Sequence, residues 1–142
     1  MAAKTFYSKI DIRPTITNEN DSVQEMFEKV FAETFSSDIP DFEEVTKGEK
    51  IFGAYEEGRL VGFASVWEPD QFIHFLFVDQ EFRKHKIGSS LVNYLSNLYG
   101  TLTLKCLLSN TTGIAFYLAT GWEKVETGMC EDGEYALLRY PA

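Results

Sequence analysis

The run Phe72-Ile73-His74-Phe75-Leu76-Phe77-Val78 is apolar at every position but one. Seven residues is strand length, and a strand apolar on both of its faces must be covered on both. It therefore belongs in the middle of a sheet, with helices above and below. A helical stripe follows it: Ile87, Leu91, Tyr94, Leu95 and Leu98, ending near Gly100. A second apolar run, Leu102 to Leu108, comes next. Strand, helix and strand in that succession read as a right-handed parallel crossover.

The flanks complete a mixed α/β pattern. Lys4 to Pro14 alternates as a strand. Val23, Met26, Phe27, Val30 and Phe31 recur at helical spacing, with Asn18, Asn20 and Asp21 as candidate caps. Pro40 and the acids from Asp41 to Glu44 mark a connector with room for a short second helix. Ile51 to Tyr55 and Leu60 to Trp67 flank Glu56-Glu57-Gly58-Arg59, a hairpin signal. Asn110 is placed to cap a helix through Ala119, and Gly121 to end it. Trp122 to Met129 and Tyr135 to Tyr140 close the chain as an antiparallel pair. One domain over residues 1–142, with a sheet of about seven strands, accommodates all of this.

Charge and composition exclude several functions. The formal net charge is −9, against the basic face that nucleic-acid binding needs. That balance suits a cationic partner such as an amine. No apolar run approaches the roughly 20 residues of a membrane span. The first residues, Met1 to Phe6, carry no apolar signal segment, so a cytoplasmic location is expected. Cys106 and Cys130 do not make a disulfide framework, and Cys106 reads as a small core residue. The two histidines, His74 and His85, lie at unlike positions, and no metal site is expected. With 12 Phe in the chain, the core or a cleft should be lined with aromatic rings.

Two features carry chemistry. Arg83, Lys84 and Lys86 put three cations within four residues, between a strand and a helix start. Free backbone N–H groups and the positive end of the helix dipole make such a turn an anion site. His74 interrupts an apolar strand, which is costly unless the ring is hydrogen-bonded. It is either a satisfied core histidine or a proton acceptor near neutral pH. Glu68 and Asp70, just before the strand, are competing bases.

The element order and these motifs together resemble the GNAT (GCN5-related) N-acetyltransferases over essentially the whole chain. The family signature Q/R-x-x-G-x-G/A reads here Arg83-Lys84-His85-Lys86-Ile87-Gly88, with Lys86 in place of the middle glycine. The segment Asn110…Ala115-Phe116-Tyr117…Gly121-Trp122 is similar to the family's N…A…FY…GF. The fourth strand is similar to that of arylalkylamine N-acetyltransferases, which carries two histidines. His74 matches the second, and Phe72 replaces the first.

The resemblance implies a GNAT fold splayed between strands four and five, with acetyl-CoA as cosubstrate and no metal. It places the pantetheine arm along the backbone of Leu76, Phe77 and Val78. It places the pyrophosphate on backbone amides of Arg83, Lys84, His85, Lys86, Ile87, Gly88 and Ser89, with hydroxyls from Ser89 and Ser90. Asn110 is implied as a cofactor contact or only a helix cap. Tyr117 is implied to protonate the leaving thiolate, and His74 or Glu68 to take the proton of the amine. The activity implied is transfer of acetyl to a primary amine of a small molecule or peptide by direct attack. A non-catalytic acyl-CoA-binding module is the alternative that Lys86 leaves open. The acceptor-side loops are Phe35 to Gly48 and Met129 to Glu134. Monomer and homodimer both fit.

Overall fold

The computed structural model describes residues 10–16, 19–35, 38–83 and 86–141. Seven strands form one sheet in the order β1-β2-β3-β4-β5-β7-β6. They are β1 Ile10–Pro14, β2 Lys50–Glu56, β3 Arg59–Trp67, β4 Phe72–Val78, β5 Leu102–Leu107, β6 Glu123–Cys130 and β7 Gly133–Tyr140. Neighbours pair antiparallel except β4 and β5, which are parallel. The helices are α1 Asn20–Thr34, α2 Phe42–Val45, α3 Ile87–Tyr99 and α4 Thr111–Ala119. The strand expected over Lys4–Pro14 is described from Ile10; its first residues and Asn18 lie outside the described residues. Among the described residues no helix is long and apolar enough to cross a membrane.

β4 is the fourth of seven strands, and it separates two cores. On one face α1 and α2 bury Val23, Met26, Phe27, Val30, Phe31 and Phe42 against Phe63, Phe75 and Phe77. Phe27 is the hub: its ring lies 5.0 Å from both Phe42 and Phe75, and 5.8 Å from Phe77. Such ring pairs add to the area they bury. Phe27→Ala should cost about 3–5 kcal/mol, measured as a lower urea midpoint at unchanged slope. On the other face α3 buries Ile87, Leu91, Val92 and Leu95 against Phe52, Val61, Ile73 and Leu104.

Both faces of β4 can be apolar because the strand changes face part-way. Ser65 pairs with Phe75 and Val66 with Ile73, which leaves His74 as an extra, bulged residue. The bulge sends Ile73 into the α3 core and Phe75 into the α1 core.

Two local expectations are revised. α1 starts after Glu19, so Asn20 and Asp21 lie inside the helix rather than capping it. Glu19 accepts from the Ile16 N–H and from Arg13 instead, which holds its carboxyl down at about 2. Leu98 is exposed, and Val92 joins the buried stripe. Tyr94, expected in the stripe, closes over Phe52 at 5.7 Å, and Tyr99 joins it at 6.2 Å.

Candidate active site

β4 and β5 stay paired only through Phe72↔Thr103 and Ile73↔Leu104. Beyond Ile73 they diverge, and a cleft of about 1080 Å³ opens between them. Its walls are α1 on one side and α4 on the other, through Phe31 and Phe35 and through Phe116 and Tyr117. The β6–β7 turn closes one end with Met129, Glu131 and Asp132.

Backbone groups along β4 point alternately to its two neighbours. The Asp79 N–H donates to the Val61 carbonyl of β3 at 2.9 Å. By alternation Phe77 and Phe75 also turn to β3, and the Phe77 carbonyl lies close against Gly62. Leu76 and Val78 therefore turn their peptide groups to the open edge. Phe77, expected there with them, pairs with Phe63 and gives its ring to the α1 core. The Val78 carbonyl is already taken, since Arg83 Nε donates to it at 3.1 Å. What remains for an extended amide-bearing ligand is the N–H and carbonyl of Leu76 and the N–H of Val78.

At the far end of β4 the chain enters α3, a helix of 13 residues whose start lines the cleft through Lys86 and Gly88. Lys86 caps it with φ 60° and ψ 26°, the left-handed conformation a glycine would take. The backbone thus follows the glycine path although the side chain differs. A left-handed non-glycine residue costs about 1 kcal/mol, so Lys86→Gly should stabilise the fold by about that amount, read as a higher urea midpoint at unchanged slope. Gly88 is packed: a Cβ would stand 3.3 Å from the Phe116 ring of α4. Ile87 is fully buried beneath the sheet, so only its backbone can face a ligand. The Ser90 hydroxyl donates to the Lys86 carbonyl at 3.0 Å. Ser89 is half-buried. The Arg83 guanidinium reaches Glu33 of α1 at 3.1 Å while lining the cleft. Lys84 and His85 lie outside the described residues.

On the opposite wall, Asn110 caps α4, accepting from the Gly113 N–H at 3.0 Å. A Cβ at Gly113 would stand 2.4 Å from Asn110 Nδ2, so a side chain there would displace the cap. The same Asn110 side chain reaches the Cys106 sulfur at 3.9 Å and lines the cleft. Tyr117 is half-buried, its ring 5.4 Å from that of Trp122 and edge-on to it. Burial pushes its phenol well above the usual tyrosine range, and the nearby Cys106 thiol pushes the same way. Burial likewise raises Cys106, to about 11. Both groups are neutral at physiological pH.

His74 stands where the two strands part. Its ring lies flat on Phe75 at 4.0 Å and is about one-third exposed. Its Nδ1 is 2.8 Å from Glu49 Oε2. The other Glu49 oxygen accepts from the Ser65 hydroxyl in a very short contact. The Glu49 side chain is 8% exposed and does not line the cleft. Glu68 is elsewhere. It begins the one-turn 3-10 helix Glu68–Asp70 and accepts from the Tyr99 hydroxyl at 2.5 Å, outside the cleft wall. That bond, with burial, pushes Tyr99 up. Asp70 ends the same turn. The structure therefore brings together His74, Leu76, Val78, Lys86, Gly88, Asn110 and Tyr117 around one cleft, and leaves Glu68 out. Glu49, 25 residues before His74 in sequence, carries no sequence signal that would pair it with the histidine.

Comparison with known proteins shows the family and the fold. Residues 16–122 match the model of the acetyltransferase (GNAT) family. A stretch of 71 residues, 50% of the chain, is 32% identical to the peptidyl-lysine N-acetyltransferase YiaC of Escherichia coli K12. That stretch spans 48% of the relative's own length. The fold is shared with the apo form of YjaB from Escherichia coli, with TM-score 0.77 and 19% identity over 93% of this chain and 97% of that one. It is also shared with the PaiA N-acetyltransferase of Thermoplasma acidophilum, solved in complex with coenzyme A. There the TM-score is 0.75, at 15% identity over 94% and 99% of the two chains. With its splayed β4 and β5, its glycine-like turn into α3 and this match over most of its length, the chain belongs to the GNAT acetyltransferase family.

Proposed function

We propose that the protein transfers the acetyl group of acetyl-CoA to a primary amine by direct attack, without a covalent enzyme intermediate. The observation that carries this reading is the open edge of β4, facing a cleft that has a helix N-terminus at one end and His74 at the other. An arm bearing amides fits that edge as an added strand would. The α3 amides from Lys86 to Gly88 suit its pyrophosphate, and the Lys86 and Arg83 side chains add positive charge at the mouth. When bound, acetyl-CoA supplies an activated thioester carbonyl.

The chain's own residues do the rest. The Leu76 N–H, turned to the open edge, donates to the carbonyl oxygen as charge builds there. His74 takes a proton from the incoming ammonium through Nε2, directly or through one water, so that a neutral amine attacks. Tyr117 holds its proton at neutral pH and gives it to the departing sulfur. Phe31, Phe35 and Phe116 give the cleft apolar surface. Much of the rate comes from holding the two reactants together.

YiaC, acting on peptidyl lysine, points to a lysine side chain as the first acceptor to try. The test is a screen with acetyl-CoA against lysine peptides, peptides with free N-termini and polyamines. Release of the coenzyme thiol together with the mass of an acetylated product supports the reading. Binding of acetyl-CoA with no turnover on any amine would favour a binding module instead.

A further inference from the structure

The carboxylate beside His74 has a role that the open cleft alone does not reveal. We infer that Glu49 is a positioning residue: it holds His74 in the Nδ1–H tautomer, ring fixed, with the Nε2 lone pair turned to the acceptor. The inference rests on the reading of His74 as the base.

An ionised carboxylate only accepts hydrogen bonds. One Glu49 oxygen accepts from the Ser65 hydroxyl, and the other faces His74 Nδ1 at 2.8 Å. For that second contact to be a bond, the proton must be on Nδ1. A neutral imidazole then has its lone pair on Nε2, the nitrogen with no partner among the described residues. The same division of labour orients the histidine of a serine hydrolase.

Burial makes the arrangement selective. Glu49 is nearly covered, whereas the His74 ring is about one-third exposed on the cleft wall. A carboxylate in that setting cannot reach the substrate and can act only through the ring it touches. Its backbone is held as well, since the Glu49 N–H donates to the Thr46 carbonyl at 2.9 Å. Ser65 comes from β3 and is fully buried, so the carboxylate is tied to the sheet from below. The ring is pressed from the other side by Phe75. The bulge at His74 matters for this, because a regular pleat would not leave Phe75 and His74 adjacent in this way.

The test separates the tautomer from the chemistry. The chain has two histidines, so His85→Gln leaves the His74 ring as the one histidine signal in a long-range proton–nitrogen spectrum. The expected wild-type spectrum shows a protonated Nδ1 and an unprotonated Nε2. Glu49→Leu removes the acceptor that faces Nδ1, and it should shift the ring toward the Nε2–H form while lowering kcat at least 10-fold. Glu49→Asp should restore part of both. Ser65→Ala, which leaves the Glu49–His74 pair in place, should have the smaller effect and guards against a folding defect in the Glu49 variants. In the cycle with His74→Gln, the double variant should be no slower than His74→Gln alone. An unchanged tautomer in Glu49→Leu overturns the inference whatever the activity. A changed tautomer with full activity in His74→Gln also overturns it, and locates the failure in the base.

Discussion

Tyr117→Phe should lower turnover at neutral pH by about 100-fold or more while leaving acetyl-CoA affinity nearly unchanged. The variant keeps the ring that packs on Trp122 and removes one proton donor. The coenzyme sulfur leaves with the electrons of the C–S bond, and a proton delivered as that bond breaks neutralises the charge that builds on it. Burial keeps the Tyr117 phenol protonated at any physiological pH. Full turnover in the variant would remove Tyr117 from the mechanism.

The same burial has a consequence for stability. A tyrosine whose folded value lies above its unfolded value of about 10 binds its proton longer in the native state. Stability from that source is intact below about pH 10 and is lost as pH rises through the folded value. Tyr55, raised to about 12 mainly by burial, acts in the same direction as Tyr117 and Tyr99. Melting temperature should therefore fall above about pH 10, and Tyr117→Phe should flatten part of that fall.

His74→Gln is the second large effect, a loss of about 100-fold in kcat/KM near neutrality. Without the base, reaction waits for amine that is already neutral. The deficit should narrow as pH rises toward the pKa of the amine itself. A deficit equal at every pH would mean that His74 only shapes the cleft. Glu68→Gln should leave the rate close to that of the wild type, because its carboxylate is spent on Tyr99 outside the cleft.

The sequence made the sheet and helices legible because their apolar periods are clean. Phe72–Val78 and Leu102–Leu107 could only be central strands, and the stripe in α3 could only face them. What escaped it depends on contacts between distant residues. Nothing near Glu49 in the chain shows that it meets His74, because that meeting needs the hairpin of β2 and β3 and the bulge in β4. Phe77 looked like its neighbours, and only the pairing register turns its backbone away from the cleft. Lys86 looked like a broken motif. Its φ of 60° restores the turn, at a cost in strain rather than in shape.

The most direct test of the central claim is a calorimetric titration with acetyl-CoA, with adenosine diphosphate as the control. Adenosine diphosphate carries a pyrophosphate but no amide-bearing arm, so it reports the α3 turn without the open edge of β4. The cleft described above predicts one site per chain that binds acetyl-CoA much more tightly than the nucleotide, and a binding loss on charge reversal at Lys86 and Arg83. No binding of acetyl-CoA, or equal binding of the two ligands, would contradict the assignment of the β4 edge as the coenzyme site.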